Sequence, residues 1–85
     1  MINKQSVINL LQQHGVQSTQ QRIEIAQILF AKPQHLSADQ VLAKVNHEHN
    51  LVSKATIYNS LGLFARKGMI REIIVDPNRV FYDSN

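Results

Sequence analysis

The sequence of 85 residues contains no cysteine. It therefore has no thiol nucleophile, no cysteine-based zinc site and no disulfide framework, and this composition is typical of a reducing compartment. No apolar run is long enough to cross a bilayer, and no signal-peptide pattern opens the chain. We therefore expect a cytoplasmic chain without a membrane partner.

The sequence also lacks the common signatures of catalysis. It has no glycine-rich phosphate loop, no serine–histidine–aspartate order with a strained turn, and no paired carboxylates in a predicted cleft. An enzyme is therefore not expected. The length allows one domain, and the net charge of +3 is compatible with a polyanionic partner.

The segment from Ser53 to Gly68 predicts one helix with a marked start and end. The Ser53 hydroxyl is a good N-cap, and Gly68 can adopt the left-handed backbone that follows a helix. The spacing i, i+4, i+7 makes one face apolar through Ile57, Leu61 and Phe64. The first two turns offer Lys54, Thr56, Tyr58 and Asn59. Such a helix suits a DNA major groove, although an ordinary amphipathic helix with a solvated polar face fits the same pattern.

Three helices precede this segment and a hairpin follows it. The first helix is predicted over Lys4 to His14, the second over Gln20 to Ala31, and the third after the capping box Ser37-x-x-Gln40. Residues 69–75 and 80–83 predict two strands, with a turn at 76–79 that contains Pro77. This order predicts a mainly α winged helix-turn-helix with four helices and a two-stranded wing.

Four motifs in this order resemble the ferric uptake regulator family, and the resemblance covers nearly the whole chain. They are Thr19-x-x-Arg22, His35-Leu36-Ser37-Ala38-Asp39, Ser53-x-Ala55-Thr56-Ile57-Tyr58-Asn59-x-Leu61 and Val80-Phe81-Tyr82-Asp83. The family consists of metal-responsive bacterial repressors, which are homodimers that bind AT-rich inverted repeats of double-stranded DNA. The resemblance implies that residues 1–85 form the winged-helix DNA-binding domain. The C-terminal dimerisation and metal-sensing domain would then be absent from this chain.

The resemblance also implies which residues meet DNA. They are Arg22, Ser53, Lys54, Thr56, Tyr58, Asn59 and Arg79. Tyr58 and Asn59 would reach base edges, with Tyr58 against a thymine methyl group. Lys54 and Thr56 would touch phosphates, and Arg22 would anchor its helix near the DNA backbone. Many iron-sensing members carry arginine at the position of Asn59, so asparagine here favours the peroxide-sensing or haem-linked branches.

The candidate metal ligands of this chain are His35 and Asp83. By the resemblance, they match two ligands of the family's regulatory metal site between its domains. The resemblance places the other ligands beyond residue 85. Tight binding of first-row metals takes about three or four protein donors, so we expect an incomplete site and no cofactor in this chain. The full-length protein would take iron, manganese, zinc or haem. The pair His47-x-His49 is not expected to bind metal, because the two side chains diverge on a helix.

Two functions remain open from the sequence. The chain is either a DNA-binding module or a winged helix that contacts another protein through its wing or fourth helix. A protein interface would expose more Leu, Phe or Met, and Leu63 is the only large aliphatic residue of the fourth helix placed outside its buried stripe. DNA binding is therefore favoured.

Overall fold

A computed structural model describes residues 2–48 and 52–84 of the chain. Its elements are α1 (Lys4–Gln13), α2 (Gln20–Leu29), β1 (His35–Leu36), α3 (Ala38–Glu48), α4 (Lys54–Arg66), β2 (Arg71–Asp76) and β3 (Arg79–Asp83). The predicted order of four helices and a hairpin is confirmed. In the described ranges, none of the helices has the length and hydropathy that a bilayer crossing requires.

Helices α3 and α4 begin at the caps that the sequence predicts, and α2 begins at a similar cap. The Thr19 hydroxyl accepts the Arg22 N–H at 3.3 Å, and the Ser53 hydroxyl accepts the Thr56 N–H at 3.2 Å. The capping box before α3 is reciprocal. The Gln40 N–H donates to Ser37 Oγ at 3.1 Å, and the Ser37 N–H donates to Gln40 Oε1 at 2.9 Å. These bonds satisfy backbone donors that a helix start otherwise leaves open.

The helix ends also follow local chemistry. Gly15 and Gly68 have φ angles of 71° and 78°, a region that a side chain with a Cβ rarely adopts. The second helix ends at Leu29 rather than at the predicted Ala31, because Pro33 and the bend before it cannot continue a helix.

The core lies between the four helices and the inner side of the sheet. Its fully buried larger side chains are Val7, Leu11, Ile25, Leu29, Val41, Val45, Ile57, Leu61 and Phe64. Helix α2 buries Ile23, Ile25, Ala26, Ile28 and Leu29, and it also buries Glu24 to 3% exposure. The Gln20 side-chain amide donates to one Glu24 oxygen at 2.8 Å, so this carboxylate is held in place from within its own helix.

The sheet has three strands in the order β1-β3-β2, all antiparallel, rather than the two strands predicted. Strand β1 pairs His35 with Asp83 and Leu36 with Tyr82. Two residues are too short to show any periodicity, so the pairing becomes visible only in three dimensions. The strand predicted from residue 69 begins instead at Arg71, because Met69 and Ile70 are buried in the core.

Candidate nucleic-acid interface

Helix α4 separates a buried face from an exposed one. Its apolar stripe Ile57, Leu61 and Phe64 is fully buried, whereas Tyr58 keeps 47% of its surface exposed. Lys54 and Asn59 are also exposed, and Thr56 is half-buried. Because the buried face packs against the core, the polar face of the first two turns has a fixed orientation.

A cavity of about 240 Å³ lies between the start of α2 and α4. Its lining is polar and consists of Thr19, Gln21, Arg22, Thr56, Asn59 and Ser60. The structure thus brings together three residues that the sequence predicted separately, Arg22, Thr56 and Asn59. The start of α2 adds the positive end of a helix dipole, so this cavity has the chemistry of an anion site.

Within that cavity, Arg22 is oriented by the chain itself. Its Nη1 donates to the Gln17 carbonyl at 3.0 Å, at the loop before α2. A carbonyl is a neutral partner, and a guanidinium has five N–H donors, so Arg22 retains both its charge and free donors for an anion.

A larger groove of about 510 Å³ separates the wing from the starts of α3 and α4. Asp39, Tyr58, Glu72 and Arg79 line it, together with the buried Tyr82. Burial raises the pKa of the Tyr82 hydroxyl above its ordinary value of 10.0, and the neighbouring Glu72 carboxylate adds to the shift. Tyr82 therefore stays neutral at the back of the groove.

Lys54 contacts two residues that line this groove, Asp39 and Tyr58, and the sequence alone does not indicate the contact with Asp39. Its Nζ is 3.2 Å from Asp39 Oδ1 and 5.9 Å from the centroid of the Tyr58 ring. The lysine and aspartate side chains are 60% and 71% exposed, so their pair contributes only about 0.2–1 kcal/mol to stability. The sequence shows Asp39 as part of a helix start, and its approach to Lys54 depends on how α3 packs on α4.

The wing carries Arg79 at its turn, where an aspartate partly neutralises it. Arg79 Nε is 2.8 Å from Asp76 Oδ2, and the Asn78 N–H donates to Asp76 Oδ1 at 2.9 Å. The bond from Arg79, followed by that from Asn78, holds the pKa of Asp76 below its ordinary 3.8. The other wing arginine, Arg71, is similarly paired, with its Nη2 at 3.0 Å from Asp83 Oδ2.

Ser53 starts helix α4. Its hydroxyl caps the Thr56 N–H and lies 3.1 Å from the Thr56 hydroxyl. The wing exposes two apolar side chains that the sequence analysis did not single out, Ile74 at 65% and Val75 at 53%. Leu63, which the sequence placed outside the buried stripe, is instead half-buried against the core.

His35 and Asp83 are direct partners across β1 and β3, so their side chains share one face of the sheet. The His35 ring packs edge-on to Phe81 at 5.8 Å, and the Asp83 carboxylate already accepts from Arg71. Across residues 2–48 and 52–84, no three His, Asp or Glu side chains group closely enough to hold a metal ion. His47 is exposed near the end of α3, and His49 lies outside the described residues.

Comparison with known proteins gives a consistent picture. The model of the ferric uptake regulator family matches residues 13–85. The peroxide-responsive repressor PerR of Staphylococcus aureus is 32% identical over 75 residues, which cover 88% of this chain and 51% of that protein. The ferric uptake regulator of Francisella tularensis with iron has a TM-score of 0.78 at 32% identity, over 84% of this chain and 55% of that one. The regulator from Pseudomonas aeruginosa with manganese has a TM-score of 0.82 at 26% identity, over 89% and 57% of the two chains. The chain thus spans about half the length of the relatives it matches.

Proposed function

The chain belongs to the ferric uptake regulator family, and we propose that it binds double-stranded DNA with sequence specificity, as the winged-helix domain of a metal-responsive repressor. The observation that carries this proposal is the juxtaposition of the exposed face of α4 with the cavity around Arg22. Together they combine groups suited to base edges with a group suited to phosphate.

Base reading is assigned to Tyr58 and Asn59. Both are exposed on a helix whose opposite face is fully buried. Helix α4 can therefore enter a major groove without disturbing its packing against the core. The Tyr58 ring suits contact with a thymine methyl group, and the Asn59 amide suits two hydrogen bonds to adenine. Both preferences favour an AT-rich site.

Phosphate contacts are assigned to the residues around α4. Arg22 and Thr56 line the polar cavity, and Lys54 and Ser53 lie at the start of α4. Arg79 projects from the wing turn, where it would exchange its bond to Asp76 for a phosphate. Phosphate contacts supply most of the affinity through counterion release, so binding by this chain should depend strongly on salt.

For the full-length protein, we propose a cytoplasmic homodimer that reads an AT-rich inverted repeat, with dimerisation through a C-terminal domain. The similarity to PerR and the presence of Asn59 favour the peroxide-sensing branch. His35 and Asp83 would supply two ligands to a site for iron, manganese or zinc, and the rest of that protein would supply the others. As a transcriptional regulator, the chain is not proposed to be an enzyme.

A second candidate is a protein-interaction module, favoured by the apolar side chains of Ile74 and Val75 exposed on the wing. Two side chains form only a small patch, well below the area that a stable protein interface buries. The polar face of α4 would also have no role in such a module. DNA binding gives a role to the polar face of α4, which a protein-interaction module would leave unexplained.

The deciding experiment is an NMR titration of the labelled chain with a short AT-rich inverted-repeat duplex and with a GC-rich duplex of equal length. At low salt, shifts should concentrate in α4, the Arg22 cavity and the turn at residues 76–79, and the AT-rich duplex should produce the larger ones. Shifts of equal size for both duplexes would remove the proposed sequence specificity. The absence of any shift at low salt would contradict DNA binding itself, because even non-specific binding is then visible.

A further inference from the structure

Asp39 is an acidic residue on a surface that should attract DNA. It lies in the first turn of α3, where a negative charge complements the helix dipole, and it lines the groove between the wing and α4. A carboxylate at that place repels phosphates, so its presence on this surface calls for a specific role.

The position of Lys54 supplies that role. Lys54 is the first residue of α4, where the positive end of the helix dipole disfavours a cation. The Asp39 carboxylate at 3.2 Å compensates for this and draws the lysine across to α3. In this orientation the ammonium group also lies 5.9 Å from the centroid of the Tyr58 ring, within the range of a cation–π contact.

We infer that Asp39 is a specificity-determining residue, which positions Lys54 over Tyr58 and so favours the correct DNA register over non-specific binding. This inference rests on the proposed function. An ammonium group has three donors, so Lys54 can bind Asp39 and still donate to one phosphate at a fixed place. In the correct register a phosphate occupies that place. In other registers, Lys54 must leave Asp39 before it can follow a displaced phosphate.

The consequence is a bias between two kinds of complex. Non-specific complexes depend on mobile lysine and arginine side chains that follow the phosphates, and the bond to Asp39 removes one such side chain from them. Specific complexes lose no affinity, because the restrained Lys54 already faces the phosphate of the correct register. The Tyr58 ring beneath it also keeps its orientation. Asp39 therefore lowers non-specific affinity more than specific affinity.

The test compares Asp39→Asn with the wild-type chain on the AT-rich inverted-repeat duplex and on the GC-rich duplex, by fluorescence anisotropy over a range of salt. On the GC-rich duplex, the variant should bind more tightly at low salt, and its slope of log affinity against log salt should steepen by about 0.9. That slope corresponds to about a 3-fold greater loss of affinity between about 50 and 200 mM salt. The preference of Asp39→Asn for the AT-rich duplex should fall below that of the wild-type chain. Asp39→Glu, which keeps the carboxylate, should retain the wild-type preference.

Glu72→Gln is the matched control, because it removes one negative charge from the same groove without touching Lys54. It should raise affinity for both duplexes alike and leave their ratio unchanged. In a Lys54→Gln background, Asp39→Asn should no longer change the ratio. The inference is overturned if Asp39→Asn behaves like Glu72→Gln, or if its effect on the ratio persists without Lys54. Failure of the wild-type chain to bind either duplex would instead overturn the proposed function together with this inference.

Discussion

Replacing Tyr58 with alanine tests base reading by α4 most directly. Tyr58 is 47% exposed, and the centroid of its ring lies 5.9 Å from the ammonium of Lys54. An exposed cation–π contact contributes about 0.5–1 kcal/mol, so the free energy of unfolding should fall by about that amount. For a domain of this size, that lowers the melting temperature by a few degrees, at about 4–8 °C per kcal/mol. The variant should therefore remain folded.

The effect on DNA binding should be larger than the effect on stability. Loss of one good base contact costs about 1–3 kcal/mol, which is about a 5- to 150-fold loss of affinity for the preferred duplex. Affinity for a GC-rich duplex should change little, because the contact made by Tyr58 is to a base and not to a phosphate. Anisotropy titrations with both duplexes measure this difference, and circular dichroism melting checks the fold.

Two results bear on the assignment of Tyr58. Tyr58→Phe keeps the ring and loses the hydroxyl, so it should retain the preference for the AT-rich duplex if the ring meets a thymine methyl group. Substitution of that thymine by uracil should then weaken binding by the wild-type chain and have little effect on Tyr58→Ala. An unchanged preference in folded Tyr58→Ala would refute base reading by this residue.

Four further outcomes follow from the structure. Phe64→Ala should destabilise the fold by about 3–5 kcal/mol through a core cavity, as measured by urea unfolding, and a loss under about 1 kcal/mol would contradict its full burial. Arg22→Gln should weaken binding to all duplexes and reduce the salt slope by about 0.9, and a change for one sequence only would contradict a phosphate contact. Because the pKa of Asp76 is lowered, its contact with the Asn78 N–H should persist above pH 3.8 and be lost as the pH falls through the lowered value, seen as a shift of that amide. Calorimetry should show only weak binding of zinc or manganese through His35 and Asp83, and submicromolar one-to-one binding would refute a two-donor site.

Much of the helical part of the fold follows from local chemistry. The caps at Ser37 and Ser53 and the stop at Gly68 are each set by residues within a few positions, so the sequence predicts them well. The buried stripe of α4 is likewise a matter of spacing. Strand β1 was missed because it exists only through its pairing with β3, and a two-residue strand has no pattern of its own.

The interface was predictable as a set of residues but not as a set of contacts. Motif order indicated Arg22, Thr56 and Asn59, yet only the packing of α2 against α4 shows that they line one cavity. The approach of Asp39 to Lys54 joins two helices whose sequence patterns are independent of each other. Such pairings depend on tertiary geometry, which neither periodicity nor capping rules specify.

The ion pairs on the proposed DNA surface determine which cation should contribute most to affinity. The structure pairs Lys54 with Asp39, Arg79 with Asp76, and Arg71 with Asp83. In a non-specific complex, a phosphate that binds one of these cations must compete with its carboxylate, so the net gain from each contact is reduced. Among the described residues, the partner of Arg22 is the neutral Gln17 carbonyl, and its cavity adds the positive end of the α2 dipole. Arg22 can therefore bind a phosphate without giving up an ion pair, and its loss should cost more non-specific affinity than the loss of Lys54 or Arg79.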